Sequence, residues 1–201
     1  MAIVINGTTS IVGLKTDTSN VGLGSTALDS ITTGDYNVAL GDEAGTAITE
    51  GSKNVTIGFR AGKLIDTGIQ NVAVGSYSLD ANTTGQENVS IGNSALGSNT
   101  TASNNTAVGT KALYANTTAA NNTAVGYYAL NLNTTGAENV AVGTYALDAN
   151  TTASNNTAVG RSSLTGNTTG ASNTAVGKSA LSDNTTGAEN VGVGASALAG
   201  N

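Results

Sequence analysis

The sequence Asn-Thr-Ala-Val-Gly at residues 105–109 recurs along this chain at a fixed interval. The same five residues return at 122–126, 156–160 and 173–177. Close variants begin at seven further asparagines: Asn20, Asn37, Asn54, Asn71, Asn88, Asn139 and Asn190. Neighbouring starts are always 17 residues apart. A constant period without insertions is typical of solenoids, in which each repeat stacks on the next. The sequence therefore predicts ten complete coils and a partial eleventh.

Positions in a coil are numbered 1 to 17 from the asparagine. Positions 2 to 4 alternate a branched residue with a small one, which is the pattern of a short β-strand. Position 4 is apolar in every coil, and position 9 is leucine in most. We predict that both point into the core, so that Val142→Asp would bury an unpaired charge. The predicted core residues are Val74, Ile91, Val108, Val125, Val142, Val159, Val176, Leu113, Leu130 and Leu147.

Position 5 is glycine in all eleven coils, which predicts a corner where the backbone adopts a positive φ or approaches another backbone closely. Representative turn glycines are Gly75, Gly92, Gly109, Gly126 and Gly143. The segment Asn-Thr-Thr-Gly/Ala at positions 12–15 is expected to turn the chain back. Because glycine and β-branched residues interrupt any helical stripe, the fold class is all-β. We predict a parallel β-solenoid, or β-roll, with two or three short strands per coil.

Three regions differ in how regular the repeat is. Residues 1–19 are interpreted as a degenerate coil or as a cap or attachment segment. Residues 20–70 form variant coils, with isoleucine at position 12 (Ile31, Ile48 and Ile65) and with Gly45 and Gly62 at position 9. Residues 71–201 form the regular coils, the last of them incomplete. Atypical terminal repeats usually cap a stack, and this end is alternatively a docking point on a larger assembly.

Burial within one chain accounts for little of the expected stability. Two large apolar side chains per coil contribute roughly 3–6 kcal/mol, whereas ordering seventeen backbone units costs about 1 kcal/mol or more each. A second buried face would offset this cost, and we expect the small residues at position 3 to permit contact with identical chains. These residues include Ala107, Ala124, Ala141, Ala158 and Ala175. The prediction is a parallel homotrimer, with a solitary or dimeric solenoid as the alternative.

Composition argues against several functional classes. The chain has no His, Cys, Pro or Trp and a net charge of −6, which argues against thiolate metal sites, histidine catalysis and nucleic-acid binding. No apolar run is long enough for a membrane span. Acidic residues such as Glu138 and Asp148 are scattered among coils without a singular pocket, so we expect no enzymatic activity, no metal and no cofactor. Asp29, Asp80 and Asp148 share position 10, but the intervening coils break any calcium ladder.

Three other patterns leave alternatives open. Seven Asn-Thr-Thr triplets match a glycosylation motif, but their role in turns explains them better. Regular threonines could bind ice, although Thr83 and Thr84 are adjacent and would point to opposite sides of a strand. The tyrosines could form a glycan-binding strip, or could simply be exposed side chains. They are Tyr36, Tyr77, Tyr114, Tyr127, Tyr128 and Tyr145.

The repeat Asn-Thr-Ala-Val-Gly-x-x-Ala-Leu-x-x-Asn-Thr-Thr-Gly resembles arrays in bacteriophage tail-fibre and related virion proteins. Its Asn-Val-Ala-Val-Gly core is also similar to the head repeats of trimeric autotransporter adhesins, which are trimeric parallel β-rolls with shorter repeats. The resemblance covers residues 20–201. It implies a fibre or spike shaft on a virion surface that contributes to host attachment, with other virion proteins bound at one end. The alternatives are an adhesin that binds a glycan or receptor laterally, and an ice-binding solenoid.

Overall fold

A computed structural model describes residues 13–15 and 19–200 of the chain. The described residues form twelve strands in one sheet, without a helix. The strands are β1 (Gly13–Lys15), β2 (Asn20–Leu23), β3 (Val38–Leu40), β4 (Val55–Ile57), β5 (Val72–Val74), β6 (Val89–Ile91), β7 (Thr106–Val108), β8 (Thr123–Val125), β9 (Val140–Val142), β10 (Thr157–Val159), β11 (Thr174–Val176) and β12 (Val191–Val193).

Strands β2 to β12 are parallel, and each residue pairs with the one 17 positions later. Thr106 pairs with Thr123, for example, and Val125 pairs with Val142. The prediction of a parallel β-solenoid of 17-residue coils is therefore confirmed. Strand β1 differs because it runs antiparallel to β2, with Leu14 opposite Val21. It covers the free edge of the first coil. The interpretation of residues 1–19 as a degenerate coil, a cap or an attachment segment otherwise concerns residues 1–12 and 16–18, which lie outside the described residues.

Each coil has one strand in the described structure, so the expected second and third strands are wrong. Positions 7, 9 and 17 adopt the left-handed conformation, which ends any extended run; in one coil these are Tyr128 (φ 56°), Leu130 (φ 52°) and Glu138 (φ 60°). Backbone hydrogen bonds still join the turn segments of neighbouring coils, as from Leu113 N to the carbonyl of Ala129 at 2.9 Å. The stack is therefore bonded along its length on more than one side.

The core has one large apolar side chain in each coil from the one that begins at Asn37 to the one that begins at Asn173. Leu113, Leu130 and Leu147 are fully buried, as predicted, and they pack with alanines at positions 3 and 8. The prediction for position 4 is wrong, because strands β3 to β12 bury the residue at position 3 and leave positions 2 and 4 outside. The outward residues include all seven that were assigned to the core: Val74, Ile91, Val108, Val125, Val142, Val159 and Val176.

The physical reason is the narrow coil interior, where a side chain from the strand meets the leucine of position 9. Only a small residue fits there, and the strand supplies Ala107, Ala124, Ala141, Ala158 and Ala175, all with no exposed surface. The expected contact of these alanines with another chain is therefore also wrong. In two of the three variant coils, glycine replaces leucine at position 9 and isoleucine fills the core from position 12; a Cβ on Gly62 would lie 2.7 Å from Ile65 Cδ1.

Two ladders of buried asparagine extend along the stack. At position 1, the side chain of Asn122 donates to the carbonyl of Gly136 (3.0 Å), and its Oδ1 accepts the backbone N–H of Asn139 (3.0 Å). At position 12, Asn133 Nδ2 donates to the carbonyl of Gly136 (2.8 Å) and to Asn116 Oδ1 (3.2 Å). These bonds satisfy the buried amides, as the burial of polar groups requires. Position 12 is thus an interior position rather than an exposed turn.

The glycines of position 5 form a column along one corner. Gly75, Gly92, Gly109, Gly126 and Gly143 have φ between 123° and 139°. A Cβ added to Gly126 would lie 2.6 Å from the carbonyl carbon of Gly143 in the next coil. The predicted corner is present, and both of the expected reasons for glycine, the backbone conformation and the close approach, apply there.

Candidate functional site

The outward side chains of β2 to β12 form a continuous surface, which we call the strand face. It consists of positions 2 and 4 of every coil, in two parallel rows. The first row is Val21, Val38, Val55, Val72, Val89, Thr106, Thr123, Val140, Thr157, Thr174 and Val191. The second row is Leu23, Leu40, Ile57, Val74, Ile91, Val108, Val125, Val142, Val159, Val176 and Val193.

The strand face is apolar, uncharged and half exposed. Neither row contains an ionisable residue, in a chain with twenty Asp, Glu, Lys and Arg residues. Ile91 is 39% exposed and Val176 is 37% exposed. Strands about 4.8 Å apart and rows about 7 Å apart give a surface about 50 Å long, on the order of 350 Å². An exposed apolar patch of a few hundred Å² often has a functional role.

The two rows differ in chemistry. Position 4 is aliphatic in every coil, whereas position 2 carries threonine in four coils, at Thr106, Thr123, Thr157 and Thr174. Thr123 follows Thr106 in adjacent coils, and Thr174 follows Thr157. Each of these threonines lies on the same side of its strand as the valine two residues later. The strand face can therefore pack against another apolar surface, and it also carries paired hydroxyl groups.

The threonines of the Asn-Thr-Thr segment have a different role. At position 13, Thr83 Oγ1 donates to the carbonyl of Thr100 at 3.1 Å, and the same bond recurs in the following coils. The asparagines that begin the seven triplets are buried: Asn82, Asn99, Asn116, Asn133, Asn150, Asn167 and Asn184. Their amide nitrogens are engaged in the ladder, so in the folded chain they are closed to attachment of a glycan.

Four tyrosines and a lysine form a second surface, which we call the tyrosine patch: Tyr114, Tyr127, Tyr128, Tyr145 and Lys111. Ring centroids are 4.5 Å apart for Tyr127 and Tyr128, and 5.5 Å apart for Tyr127 and Tyr145. Lys111 Nζ lies 5.4 Å from the Tyr114 ring and 5.5 Å from the Tyr128 ring. Desolvation and the neighbouring phenols of Tyr145 and Tyr128 raise the pKa of Tyr127. The shared position 7 of Tyr128 and Tyr145 was the one sequence signal for this cluster.

Charged residues of the variant coils form a network that crosses coils. Lys63 Nζ contacts Glu43 Oε2, and Arg60 Nε lies 3.4 Å from Asp80 Oδ1. The hydrogen bond from Lys63 lowers the pKa of Glu43, while burial raises the pKa of Asp80 despite Arg60. Arg60 also lies 5.2 Å from the ring centroid of Tyr77. These contacts hold neighbouring coils together.

Glu138 and Asp148, the two acidic residues considered as a catalytic pair, lie in different coils. Glu138 is exposed at position 17, whereas Asp148 lies at position 10 of the next coil and accepts a hydrogen bond from Thr165 Oγ1 at 2.6 Å. Burial raises the pKa of Asp148. Residues 13–15 and 19–200 contain no group of three side chains arranged to hold a metal ion. No helix capable of spanning a bilayer occurs in the part of the chain that the structure describes.

The arrangement offers two surfaces for binding, the strand face and the tyrosine patch, on a rod of stacked coils. The structure identifies the architecture, a β-solenoid repeat protein. Comparison with known protein families, curated proteins and solved structures gave no match.

Proposed function

We propose that this chain is a shaft segment of a fibre, assembled as a parallel homotrimer through its strand face. The observation that carries this proposal is the unbroken, uncharged strand face over eleven coils. Exposed to water, its aliphatic side chains would lose the stabilisation of burial, roughly 25 cal/mol for each Å². Covering it with other chains recovers that stabilisation for every coil.

The partner that fits the strand face is another copy of the same chain. Its side chains repeat at the coil spacing, so a partner must present matching rows at the same spacing for about 50 Å. An identical parallel solenoid does this in every coil. The rows are also free of charge, so that copies meet without burying unpaired ions. Closed symmetric assembly is the common outcome for identical chains.

The function of such a rod is mechanical. Its coils are joined by parallel strand pairing, by turn-to-turn hydrogen bonds and by two asparagine ladders, all directed along the stack. Bending or stretching the rod strains many of these bonds together. The resemblance of the repeat to tail-fibre arrays supports a place on a virion surface, contributing to host attachment, with other virion proteins bound at one end. That part of the proposal rests on the resemblance alone.

Val142→Asp is expected to separate the trimer into single chains while the β-solenoid remains folded. Val142 lies partly exposed in the second row of the strand face. Aspartate at this position is therefore solvated in the single chain and becomes a buried charge only in the assembly. Sedimentation equilibrium should give three chains of 19.6 kDa for the wild type and one for the variant. Ala149→Asp is the matched control, because it lies in the same coil off the strand face, where Asp183 stands in a later coil. A single-chain mass for the wild type would contradict the proposal.

The second candidate is ice binding by the same surface. The observation in its favour is the outward placement of Thr106, Thr123, Thr157 and Thr174, each two residues before an outward valine. Thr83 and Thr84 are adjacent, whereas these four threonines all lie on the same side of their strands. A flat, regular array of hydroxyl and methyl groups could order water in an ice-like spacing. This use requires the strand face to be uncovered, so it excludes the trimer.

The shaft proposal predicts no gap between the melting and freezing temperatures of ice in the presence of the protein. The trimer covers the hydroxyl and methyl groups that ice would contact. Nanolitre osmometry measures this gap directly. Ice binding would instead give a gap that Thr123→Tyr removes, because a large ring disrupts the flat array. Thr118→Tyr, at an exposed position 14 of the preceding coil, should leave such a gap unchanged.

A further inference from the structure

The tyrosine patch concentrates most of the aromatic side chains of the chain. The sequence has six Tyr and one Phe, and four of the tyrosines lie in the three successive coils that begin at Asn105, Asn122 and Asn139. Tyr127 is 47% exposed, and Tyr114 and Tyr145 are also more than one third exposed. The rings of Tyr127, Tyr128 and Tyr145 contact one another, with Tyr145 one coil beyond the other two, and Lys111 links Tyr128 to Tyr114 in the preceding coil. The result is an aromatic cluster two coils long, which Lys111 and Tyr114 extend into a third coil.

The solenoid backbone does not require these rings. At position 7, Ser94 and Ser162 adopt φ values of 54° and 56°, and Tyr128 has 56° at the same place. At position 6, Thr110 and Thr144 stand in the coils on either side of Tyr127. Small polar residues therefore satisfy the same backbone, so the clustered rings have no structural cause in the coil.

The chemistry of the patch fits a sugar ring. Exposed tyrosine rings present a large apolar face and a hydroxyl group that can donate or accept a hydrogen bond. The C–H face of a pyranose packs on such a ring, while its hydroxyl groups need polar partners at the rim. Lys111, above Tyr114 and Tyr128, supplies N–H donors there.

We propose that the tyrosine patch binds a polysaccharide of hexopyranose units, with sugar rings stacked on Tyr127, Tyr128 and Tyr145. The polysaccharide runs along the stack of coils, because the tyrosine rings follow one another from coil to coil. The patch follows the glycine corner in the coil, whereas the strand face precedes it. The inference is independent of the oligomeric state: the shaft proposal is tested by mass, and this one by retention on polysaccharide.

Affinity electrophoresis in gels that contain hydroxyethyl cellulose, galactomannan or polygalacturonate tests the proposal. We expect at least one of the three to retard the wild-type protein. The triple variant Tyr127→Ser, Tyr128→Ser, Tyr145→Ser should bind that polymer about tenfold more weakly or not at all. These serines reproduce residues found at the same positions of other coils, so folding should be preserved. Tyr36→Ser is the matched control, because Tyr36 is 61% exposed and position 17 holds Ser172 elsewhere.

Two results would overturn the proposal. One is wild-type mobility that none of the three polymers changes. The other is a triple variant with an altered sedimentation mass, which would assign the rings to a contact between copies of the chain. A triple variant with unchanged mass and circular dichroism but lost retardation supports the polysaccharide site. Lys111→Met removes the N–H donor at the rim of the patch. Binding of the same polymer should then weaken, although the tyrosine rings remain.

Discussion

Leu130→Asp is expected to open the middle of the solenoid. Leu130 is fully buried and is the single large apolar side chain of its coil. Truncating a buried leucine costs about 2–5 kcal/mol, and an unpartnered buried polar group adds about 2 kcal/mol or more. Because each coil contacts only its two neighbours, the damage should be local and should divide the stack into two parts. Leu113 and Leu147 are equally buried in the neighbouring coils, so the same substitution there should have a similar effect.

Hydrogen exchange measured by mass spectrometry locates this effect. Backbone amides of the coils on either side of residue 130 should exchange faster, while those near β4 and β12 keep their protection. Leu132→Asp is the matched control: it lies two residues away, is 51% exposed, and occupies the position where Asp183 stands in a later coil. Equal protection in the two variants would show that position 9 is not the core of the coil.

The period and the strand could be predicted from the sequence, but the side of the strand that faces inward could not. The alternation of Val140, Ala141 and Val142 indicates two faces and does not say which one is buried. Choosing the more hydrophobic face gave the wrong answer because the coil is too narrow to hold valine opposite leucine. In a solenoid this thin, volume decides which face is inside, and hydrophobicity decides what the outside can bind.

The burial of the asparagines at position 12 was missed for a related reason. Asparagine usually indicates a turn, and Asn133 begins an Asn-Thr-Thr segment with turn-forming residues after it. A signal was present in the variant coils, where Ile48 and Ile65 occupy the same position 12 and glycine replaces leucine at position 9. An apolar residue that can replace asparagine identifies a buried site. Isoleucine at position 12 together with glycine at position 9 indicates that position 12 lies inside the coil.

The tyrosine patch was only partly predictable. A common position 7 for Tyr128 and Tyr145 places them one coil apart, about 4.8 Å along the stack. Tyr127 occupies position 6, and the approach of its ring to Tyr128 and Tyr145 depends on the path of the chain between Gly126 and Leu130. That path is set by left-handed residues at positions 7 and 9. Nothing in the local sequence of Tyr128 or Leu130 favours a positive φ, so the sequence alone could not bring the rings together.

Gly126→Ala is expected to destabilise the stack without changing any side chain of the core. Gly126 has φ 139°, a region that is essentially restricted to glycine, and the strain costs about 1–3 kcal/mol. The added methyl group would also lie 2.6 Å from the backbone of Gly143, which forces neighbouring coils apart for about 1–3 kcal/mol more. The atoms that the methyl group would meet are all backbone atoms, so the clash cannot be relieved by moving a side chain.

Thermal unfolding followed by circular dichroism should show a lower transition temperature for Gly126→Ala. Gly97→Ala is the matched control, because the backbone of Gly97 lies outside the left-handed region and the nearest atoms to the new methyl group belong to the exposed Tyr114 ring. That ring can move, so the control should unfold within a few degrees of the wild type. A Gly126→Ala transition equal to that of the control would mean that the glycine column tolerates a side chain, and that neither the positive φ nor the close approach of the coils requires glycine at this corner.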